Sequence, residues 1–177
     1  MDKLAHRLAD AADLPVLTAL MNEAIAGLLP QFLPPEEVAA SYAIMGLDTQ
    51  LVEDGTYFVV EIEDAIAGCG GWSRRATLFG GNHTDGRDAR LLDPKTEPAR
   101  VRAMYTAPRF TRRGVGSKVL ELCEAAARAE GFTRVELAAT MGGKPLYEAR
   151  GYRPIEQLMV ATPGGVKVPI LRMGKSL

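Results

Sequence analysis

A short turn with two glycines carries the clearest chemical signal in the sequence. It reads Thr111-Arg112-Arg113-Gly114-Val115-Gly116-Ser117 and lies between a predicted strand and a predicted helix. Backbone N–H groups in such a turn, together with the helix N-terminus, bind anions. Glycines let the backbone approach a phosphate closely because they carry no Cβ, and Arg112 and Arg113 add positive charge. The turn predicts a phosphate site; the alternative is a βα turn whose glycines serve only tight packing.

Two widespread phosphate-binding motifs are not completed by this chain. A Walker loop requires Gly-x4-Gly-Lys-Ser/Thr, and before Gly174-Lys175-Ser176 the position of the first glycine holds Pro169. The dinucleotide pattern G-x-G-x-x-G requires a third glycine after Gly114 and Gly116, where the chain has Val119. The expected anion is therefore neither a Walker-bound nucleotide nor a Rossmann-bound dinucleotide, and a nucleotide-binding switch protein is disfavoured.

A second motif follows the turn, and the two together resemble a known family. Residues 104–117 resemble the acyl-CoA-binding segment of the GNAT N-acetyltransferases, whose consensus Q/R-x-x-G-x-G/A lies between the fourth strand and the third helix. Residues 145–152 resemble the family's aromatic-Tyr-Glu-x-x-Gly-aromatic helix. The order of predicted elements over residues 56–173 also fits, whereas the segment before it matches only as two helices.

The resemblance implies an acyl-CoA-dependent N-acyltransferase that uses acetyl-CoA and works by direct attack of an amine. It implies that the backbone around residues 104–106 binds the pantetheine arm and polarises the thioester carbonyl, a preorganised oxyanion hole. The pyrophosphate would lie on the amides of residues 112–117. Thr111 stands where the consensus has Gln or Arg, so backbone N–H groups are expected to do most of the binding. The expected donor-binding residues are Met104, Tyr105, Thr106, Thr111, Arg112, Arg113, Gly114, Val115, Gly116 and Ser117.

The resemblance also assigns a general acid to Tyr147, because many family members place that acid at this point of the motif. The attacking amine must be neutral, and an alkylammonium with a pKa near 10.4 must first lose a proton. The leaving thiolate, with a pKa of about 8.5, gains from a proton donor, which is typically worth roughly 10²–10⁴-fold in rate. The alternative for Tyr147 is a core aromatic beside Leu146.

The sequence does not identify the base that accepts the amine's proton. The predicted fourth strand, residues 100–106, contains no carboxylate. Glu97 just before it is one candidate, Glu136 and His83 are others, and a chain of water molecules would need none of them. The lack of a strand carboxylate, with Thr111, also leaves open a rival function: a non-catalytic module that binds and senses acyl-CoA.

A long segment without clear periodicity, residues 74–98, separates the predicted third and fourth strands. We interpret it as an insertion in a single domain spanning residues 1–177. Such a stretch is usually functional or disordered, and in the GNAT fold this junction lies near the acceptor side of the cleft. His83, Arg87 and Asp88 are therefore candidates for binding the acceptor; the alternatives are a disordered surface insertion and, for His83, a solvated loop histidine.

Strands and helices that must position these residues follow one another in a recognisable order. A short strand near Arg7 precedes two helices, one from Asp13 to Gly27 or Pro30 and one from Pro34 to about Met45. Then come a hairpin (56–62 and 65–73), a strand (100–106), a helix (115–130), a strand (133–138), a short helix (143–150) and a second hairpin (152–161 and 166–173). The strand–helix–strand unit implies a parallel pair with a right-handed crossover. The chain is therefore a mixed α/β protein with a GNAT-like sheet, antiparallel at both ends, parallel in the middle and flanked by helices; the family fold adds that the central strands splay apart.

Length and composition limit the class of protein. The chain has 177 residues, 47% of them hydrophobic, and a formal net charge of −1, which suits one folded domain and excludes a disordered chain. Lys plus Arg total 21 and Asp plus Glu 22, so the charge balance predicts no nucleic-acid partner. It favours a small-molecule amine as the acceptor. Two distant cysteines and two histidines give no metal pattern, so no metal is expected.

The expected location is the cytoplasm, without a membrane partner. We expect no membrane-spanning segment, because no apolar run in the sequence approaches the roughly 18 residues that a span requires. The N-terminal residues show no apolar segment of the kind a secretory signal needs. A homodimer is expected from the habit of the family alone.

Overall fold

One seven-stranded sheet organises the computed structural model, which describes residues 3–177. In chain order the elements are β1 (Ala5–Leu8), α1 (Leu14–Leu28), α2 (Pro35–Ser41), α3 (Thr49–Glu53), β2 (Tyr57–Ile62), β3 (Ala65–Ser73), β4 (Ala99–Thr106), α4 (Val115–Ala129), β5 (Arg134–Ala139), α5 (Lys144–Ala149), β6 (Arg153–Ala161) and β7 (Lys167–Ser176). The strand order is β1-β2-β3-β4-β5-β7-β6. β4 and β5 run parallel and the other neighbours antiparallel. The predicted mixed sheet with antiparallel ends is confirmed.

The parallel strands β4 and β5 are paired over a short length only. Ala99 lies opposite Val135 and Arg100 opposite Glu136. β4 continues to Thr106, while β5 pairs along its length with β7 on its other side. The two strands therefore splay apart towards their carboxyl ends, as the family resemblance implied. Unpaired backbone groups along the gap need other partners.

Helices cover both faces of the sheet and create two apolar cores. On one face α4 contributes Val115, Val119 and Leu120, which pack with Val101 of β4. On the other face α1 packs against residues that include Tyr105 of β4. Val101 and Tyr105 are four residues apart and would share a face in a regular strand. They lie in different cores because the register of β4 shifts between them, so this one strand contributes to both cores.

The first helix is more apolar than the sequence analysis expected. With the 3₁₀ turns at its ends, the segment of residues 11–31 is long and apolar enough to cross a membrane by length and composition. The expectation that no run approaches that length is therefore wrong. In the structure this helix packs as a core helix, and its buried side chains are Leu17, Leu20, Met21, Ala24 and Ile25.

Local hydrogen bonds explain why the start of α1 differs from the prediction. Asp10, not Asp13, caps the turn before the helix, because its carboxylate accepts the N–H of Ala12 at 2.8 Å. The Asp13 carboxylate accepts a hydrogen bond from the N–H of Asp10. It also forms an ion pair with the Arg7 guanidinium at 2.7 Å. The Arg7 guanidinium holds the pKa of Asp13 below its usual value. Asp13 therefore ties β1 to α1.

The second predicted helix is shorter than expected, and a third helix follows it. α2 ends at Ser41, before the predicted limit of Met45. Gly46 has a φ of 132°, a conformation that cannot continue a helix. Asp48 then caps α3 by accepting the N–H of Gln50 at 3.1 Å. This N-cap signal was present in the sequence and was missed.

We predict that Leu17→Ala lowers the free energy of unfolding by about 2–5 kcal/mol, because it opens a cavity in the core beneath α1. Leu17 is fully buried. Its neighbour Val16 is 53% exposed, so the control Val16→Ala should change that free energy by less than about 0.5 kcal/mol. Urea denaturation measures both. Equal losses would contradict the packing of α1 as a core helix.

Candidate active site

A cavity of about 770 Å³ occupies the gap between β4 and β5. This volume lies in the range of small-molecule and cofactor sites. Its walls come from both faces of the sheet: the turn before α4 and α5 on one side, and the end of α1 with residues 44–46 and 78–80 on the other. The predicted donor-binding residues that line it are Met104, Tyr105, Thr106, Thr111, Arg112, Gly114, Val115, Gly116 and Ser117. Arg113 is outside the lining, with its guanidinium 5.2 Å from the centre of the Phe110 ring.

Two residues with positive φ shape the turn before α4. Arg112 has a φ of 64° and Gly114 a φ of 82°. A non-glycine residue in this conformation is strained by roughly 1–3 kcal/mol, and such strain concentrates at functional sites. The first hydrogen bond that closes α4 runs from the N–H of Lys118 to the carbonyl of Gly114 at 3.0 Å. The N–H groups of residues 115–117 have no acceptor inside the helix, so they and the helix dipole suit an anion.

Thr111, the position that departs from the family consensus, serves the turn itself. Its hydroxyl donates to the carbonyl of Pro108 at 2.9 Å. The hydroxyl is therefore committed to the backbone and does not replace the longer Gln or Arg side chain.

Gly116 allows α5 to approach the turn closely, since a Cβ at this position would lie 2.7 Å from a methyl of Leu146 on α5. The missing side chain lets α5 pack beside the turn.

A bulge in β4 turns its backbone towards the cavity. The pairing of β3 with β4 shifts by one residue, so that Ala103 and Met104 together face Gly70. Ala103 has a φ of 50°. A Cβ on Gly70 would lie 2.7 Å from the Cγ of Met104, so the glycine makes room for the bulge. Bulges re-aim backbone and side-chain groups next to active sites, and the sequence analysis did not predict this one.

Two buried tyrosines hold the bulge from the α1 side of the sheet. The hydroxyl of Tyr57 donates to the carbonyl of Ala103 at 2.7 Å. The hydroxyl of Tyr105 accepts the N–H of Gly46 at 2.9 Å. Burial raises the pKa of both phenols above the usual value, so both remain neutral at physiological pH. They fix the strand and the segment around Gly46, which both line the cavity.

Tyr147 lies at the cavity wall with its hydroxyl towards β4. Its hydroxyl lies 3.8 Å from the sulfur of Met104, beside the bulge. Its ring packs edge-to-face on Tyr152 at 5.8 Å, and only 8% of the residue is exposed. Burial raises the pKa of Tyr147 above its usual value, so the hydroxyl stays protonated. The residue is thus part of the core and of the cavity lining at once.

None of the three side chains considered as a base lines the cavity. Glu97 precedes the paired end of β4, opposite to the splay, and its carboxylate lies 2.9 Å from Arg90. This guanidinium lowers the pKa of Glu97 to about 2. His83 has its Nε2 atom 2.6 Å from the carbonyl oxygen of Tyr42. The geometry disfavours both as bases.

Glu136, the third of these side chains, is held between two arginines. Its carboxylate accepts from Arg100 at 2.9 Å and from Arg172 at 2.7 Å. It lies at the end of β5 that is still paired with β4. The two ion pairs hold the carboxylate at that end of the strand, outside the cavity lining. None of the three side chains is therefore placed at the cavity in this structure.

The insertion between β3 and β4 is folded as a hairpin. Backbone hydrogen bonds join its two arms, from the N–H of Thr77 to Asp88 at 2.8 Å and from the N–H of Ala76 to Arg90 at 2.9 Å. It is therefore not the disordered insertion that the sequence left open. Residues 78–80, in its first arm, line the cavity, whereas His83, Arg87 and Asp88 do not.

A buried ionic cluster explains why Arg87 does not face the cavity. The Asp48 carboxylate accepts from Arg87 at 2.6 Å and from Arg102 of β4 at 3.0 Å. Arg102 also donates to the carbonyl of Gly80 at 2.6 Å. The cluster therefore joins α3, β4 and the insertion, and it positions residues 78–80 at the cavity wall. The sequence showed these charges but not their pairing.

The comparison with family models decides the family. The model of the Acetyltransferase (GNAT) family matches residues 18–152. The chain is a GNAT acetyltransferase. The match confirms the predicted membership of the GNAT family, the predicted fold and the predicted class of acyl-CoA-dependent N-acyltransferases.

Solved structures of other acetyltransferases share the fold of this GNAT protein. A GCN5-related N-acetyltransferase from Rhodopseudomonas palustris is 18% identical, with a TM-score of 0.74 and coverage of 100% of this chain and 98% of the other. The ribosomal-protein-alanine N-acetyltransferase from Brucella melitensis is 20% identical, with a TM-score of 0.66 and coverage of 98% and 99%. The acetyltransferase yncA from Salmonella typhimurium, solved with its cofactor acetyl-CoA, is 17% identical, with a TM-score of 0.64 and coverage of 98% and 94%. Comparison with curated protein sequences gave no match.

Within residues 3–177, no group of three His, Cys, Asp or Glu side chains is arranged to hold a metal ion. The cavity of this GNAT acetyltransferase is lined by backbone groups of the turn and of β4, by two tyrosines, Tyr105 and Tyr147, and by largely apolar walls. Sequence analysis missed Tyr57 and Phe79, which contribute a buried hydrogen bond and part of the wall. Neither residue belongs to a local motif, so no signal in the sequence marked them.

We predict that Tyr57→Phe lowers the free energy of unfolding by about 1–3 kcal/mol, because it leaves the carbonyl of Ala103 buried without a donor. Tyr42 is 38% exposed, so the matched control Tyr42→Phe should stay within about 0.5 kcal/mol of the wild type. Denaturant titration measures both variants. If the two behave alike, the Tyr57 hydroxyl does not hold the bulge.

Proposed function

We propose that this acetyltransferase moves the acetyl group of acetyl-CoA to the amine of a small molecule by direct attack. The observation that carries the proposal is the placement of three groups along one cavity: the anion-binding turn of residues 112–117, the bulged backbone at Met104 and the hydroxyl of Tyr147. The amine nitrogen bonds to the thioester carbonyl carbon, the C–S bond breaks and the thiolate leaves. The nitrogen loses its proton to water.

The donor end of the cavity fits coenzyme A in charge and in hydrogen-bonding pattern. The N–H groups of residues 115–117 suit the pyrophosphate. The edge of β4 beyond Arg100 is free of β5 and suits the amides of the pantetheine arm. The Salmonella typhimurium relative, whose structure contains acetyl-CoA, supports the same donor.

The role proposed for Tyr147 is to donate a hydrogen bond to the leaving sulfur. A thiol has a pKa of about 8.5 and a tyrosine about 10 in water, and burial raises the pKa of Tyr147 further. The phenol is therefore a weaker acid than the thiol. It stabilises the thiolate as a fixed donor, and complete proton transfer is not required.

The acceptor end of the cavity supports a small molecule rather than an extended chain. It is bordered by the end of α1, by residues 44–46 and by residues 78–80 of the insertion. The proposal assigns proton removal to a water chain, since the candidate bases lie elsewhere. A cytoplasmic location and a homodimer remain predictions.

We predict that Ser117→Asp weakens CoA binding at least tenfold, because a carboxylate at the start of α4 repels the pyrophosphate. The matched control Ser117→Asn adds the same volume without charge and should change the Kd much less. A carboxylate near a helix N-terminus is favourable in itself, so the variant without ligand should unfold no more easily than the wild type. Isothermal titration with CoA and thermal melts measure the two effects. Equal Kd values for the two variants would place the pyrophosphate elsewhere.

We predict that Tyr147→Phe lowers kcat more than tenfold at pH 7 and leaves the Kd for CoA nearly unchanged, because it removes only the donor to sulfur. The matched control is Tyr152→Phe, since the hydroxyl of Tyr152 bonds to Glu124 and does not line the cavity. The raised pKa of Tyr147 keeps it protonated, so wild-type kcat should not fall between about pH 8 and 10. Thiol-release assays across pH measure both. An unchanged kcat in Tyr147→Phe would contradict the role of Tyr147 as the donor to the leaving sulfur. Binding of CoA without acetyl transfer to any amine would favour the rival function, a non-catalytic module that senses acyl-CoA.

A further inference from the structure

The end of the cavity away from the anion-binding turn is walled by apolar side chains. They come from α1, from the turn after it, from the segment before α3, from the insertion and from β7: Ile25, Leu29, Phe32, Ile44, Phe79 and Ile170. Polar lining side chains in these segments are uncharged: Gln31 and Ser41. Two of these side chains are aromatic: Phe32 comes from the turn after α1 and Phe79 from the insertion. The chamber therefore suits an apolar body.

Charge in the cavity lining has one sign. Among the residues that the structure describes, no Asp, Glu or His lines the cavity, and the charged lining residues are Arg102 and Arg112. Arg102 is buried, and it shares the one carboxylate of Asp48 with Arg87. Two guanidinium groups with one carboxylate leave a net positive charge beside the acceptor end. An ammonium group entering this chamber would lose water, find no carboxylate and meet like charge, so its binding is disfavoured.

Protonation of the acceptor adds a second constraint. At pH 7 an alkylamine with a pKa near 10.4 is neutral in only about one molecule in 2,500. An enzyme that uses such an amine gains from a carboxylate that binds the cation and removes its proton. Glu97, Glu136 and His83 are all held outside the cavity. An acceptor that is already neutral needs no base before it attacks, and its nitrogen can release a proton to water once the C–N bond has formed.

We infer that the acceptor is an apolar amine that is uncharged at neutral pH, with aromatic amines as the class that fits. The inference rests on the proposed function and names the substrate class of the same site. The ring lies in the chamber between Phe32 and Phe79, and the amino group points towards the bulge at Met104. The net positive charge near Arg102 then excludes the alkylammonium ions that dominate the pool of biological amines.

A matched pair of acceptors tests this inference. Aniline and cyclohexylamine each carry one nitrogen on a six-membered ring, and at pH 7 only cyclohexylamine is charged. We expect a kcat/KM for aniline at least tenfold above that for cyclohexylamine at pH 7, measured by release of the CoA thiol. The value for aniline should be flat from about pH 7 to 9, while that for cyclohexylamine should rise about tenfold per pH unit as the ammonium loses its proton. A preference for cyclohexylamine at pH 7, or a flat profile for it, would overturn the inference.

A substitution at one position in the wall tests whether the lack of a carboxylate causes the preference for uncharged amines. Leu78 lines the cavity and is half-buried. Leu78→Glu adds the carboxylate that the chamber lacks, and Leu78→Gln adds the same volume without charge. We expect Leu78→Glu to reduce the preference for aniline over cyclohexylamine at least tenfold and Leu78→Gln to keep the wild-type ratio within about threefold. Equal shifts in both variants would overturn the argument from charge.

Binding of CoA separates failure of this inference from failure of the proposed function. Isothermal titration of the wild-type protein with CoA is the first arm. If CoA does not bind, the proposed function itself is wrong. If CoA binds and acetyl transfer goes to cyclohexylamine alone, or to neither amine, the donor site stands and the inference about the acceptor is overturned.

Discussion

The short pairing between β4 and β5 is the constraint on which the rest of this structure depends. After two residue pairs the strands separate, and β5 takes its hydrogen bonds from β7. A parallel pair that stayed closed would satisfy its backbone internally and leave no gap between the two cores. The splay instead creates a cavity lined from both faces of the sheet and an edge of β4 that needs partners. The proposed donor site, the proposed acceptor chamber and the position of Tyr147 at the wall between them all depend on that opening.

Strain is concentrated where the cavity requires it. Ala103 and Arg112 adopt positive φ, one in the bulge and one in the anion-binding turn. Each conformation is held by its surroundings: the hydroxyl of Tyr57 fixes the carbonyl of Ala103, and the start of α4 follows directly after Gly114. The fold thus places local strain at the two backbone segments that line the cavity, which is where strained residues are commonly found in functional sites.

Three acidic side chains are paired with arginines and lie outside the lining of the cavity. Asp48, Glu97 and Glu136 are each paired with arginine, and the pair of Asp48 with Arg102 is almost completely buried. Removing one partner of a buried ion pair typically destabilises a protein by about 3–5 kcal/mol. The Asp48 pairs hold the insertion against β4 and position residues 78–80 at the wall of the cavity. The same pairing leaves the cavity lining without negative charge, which is the physical origin of the selectivity inferred for the acceptor.

The sequence by itself determined the features that depend on short spacings between neighbouring residues. These are the order of strands and helices, the turn at Gly114 and Gly116, and the motif that singled out Tyr147. The turn and Tyr147 line one cavity in the structure. The tertiary structure alone decided the rest. The Tyr57 hydroxyl reaches a carbonyl 46 residues away, and Asp48 reaches Arg102 across 54 residues. Which charged groups are paired, which strand carries the bulge and which side chains face the acceptor are set by such distant contacts, and no local pattern encodes them.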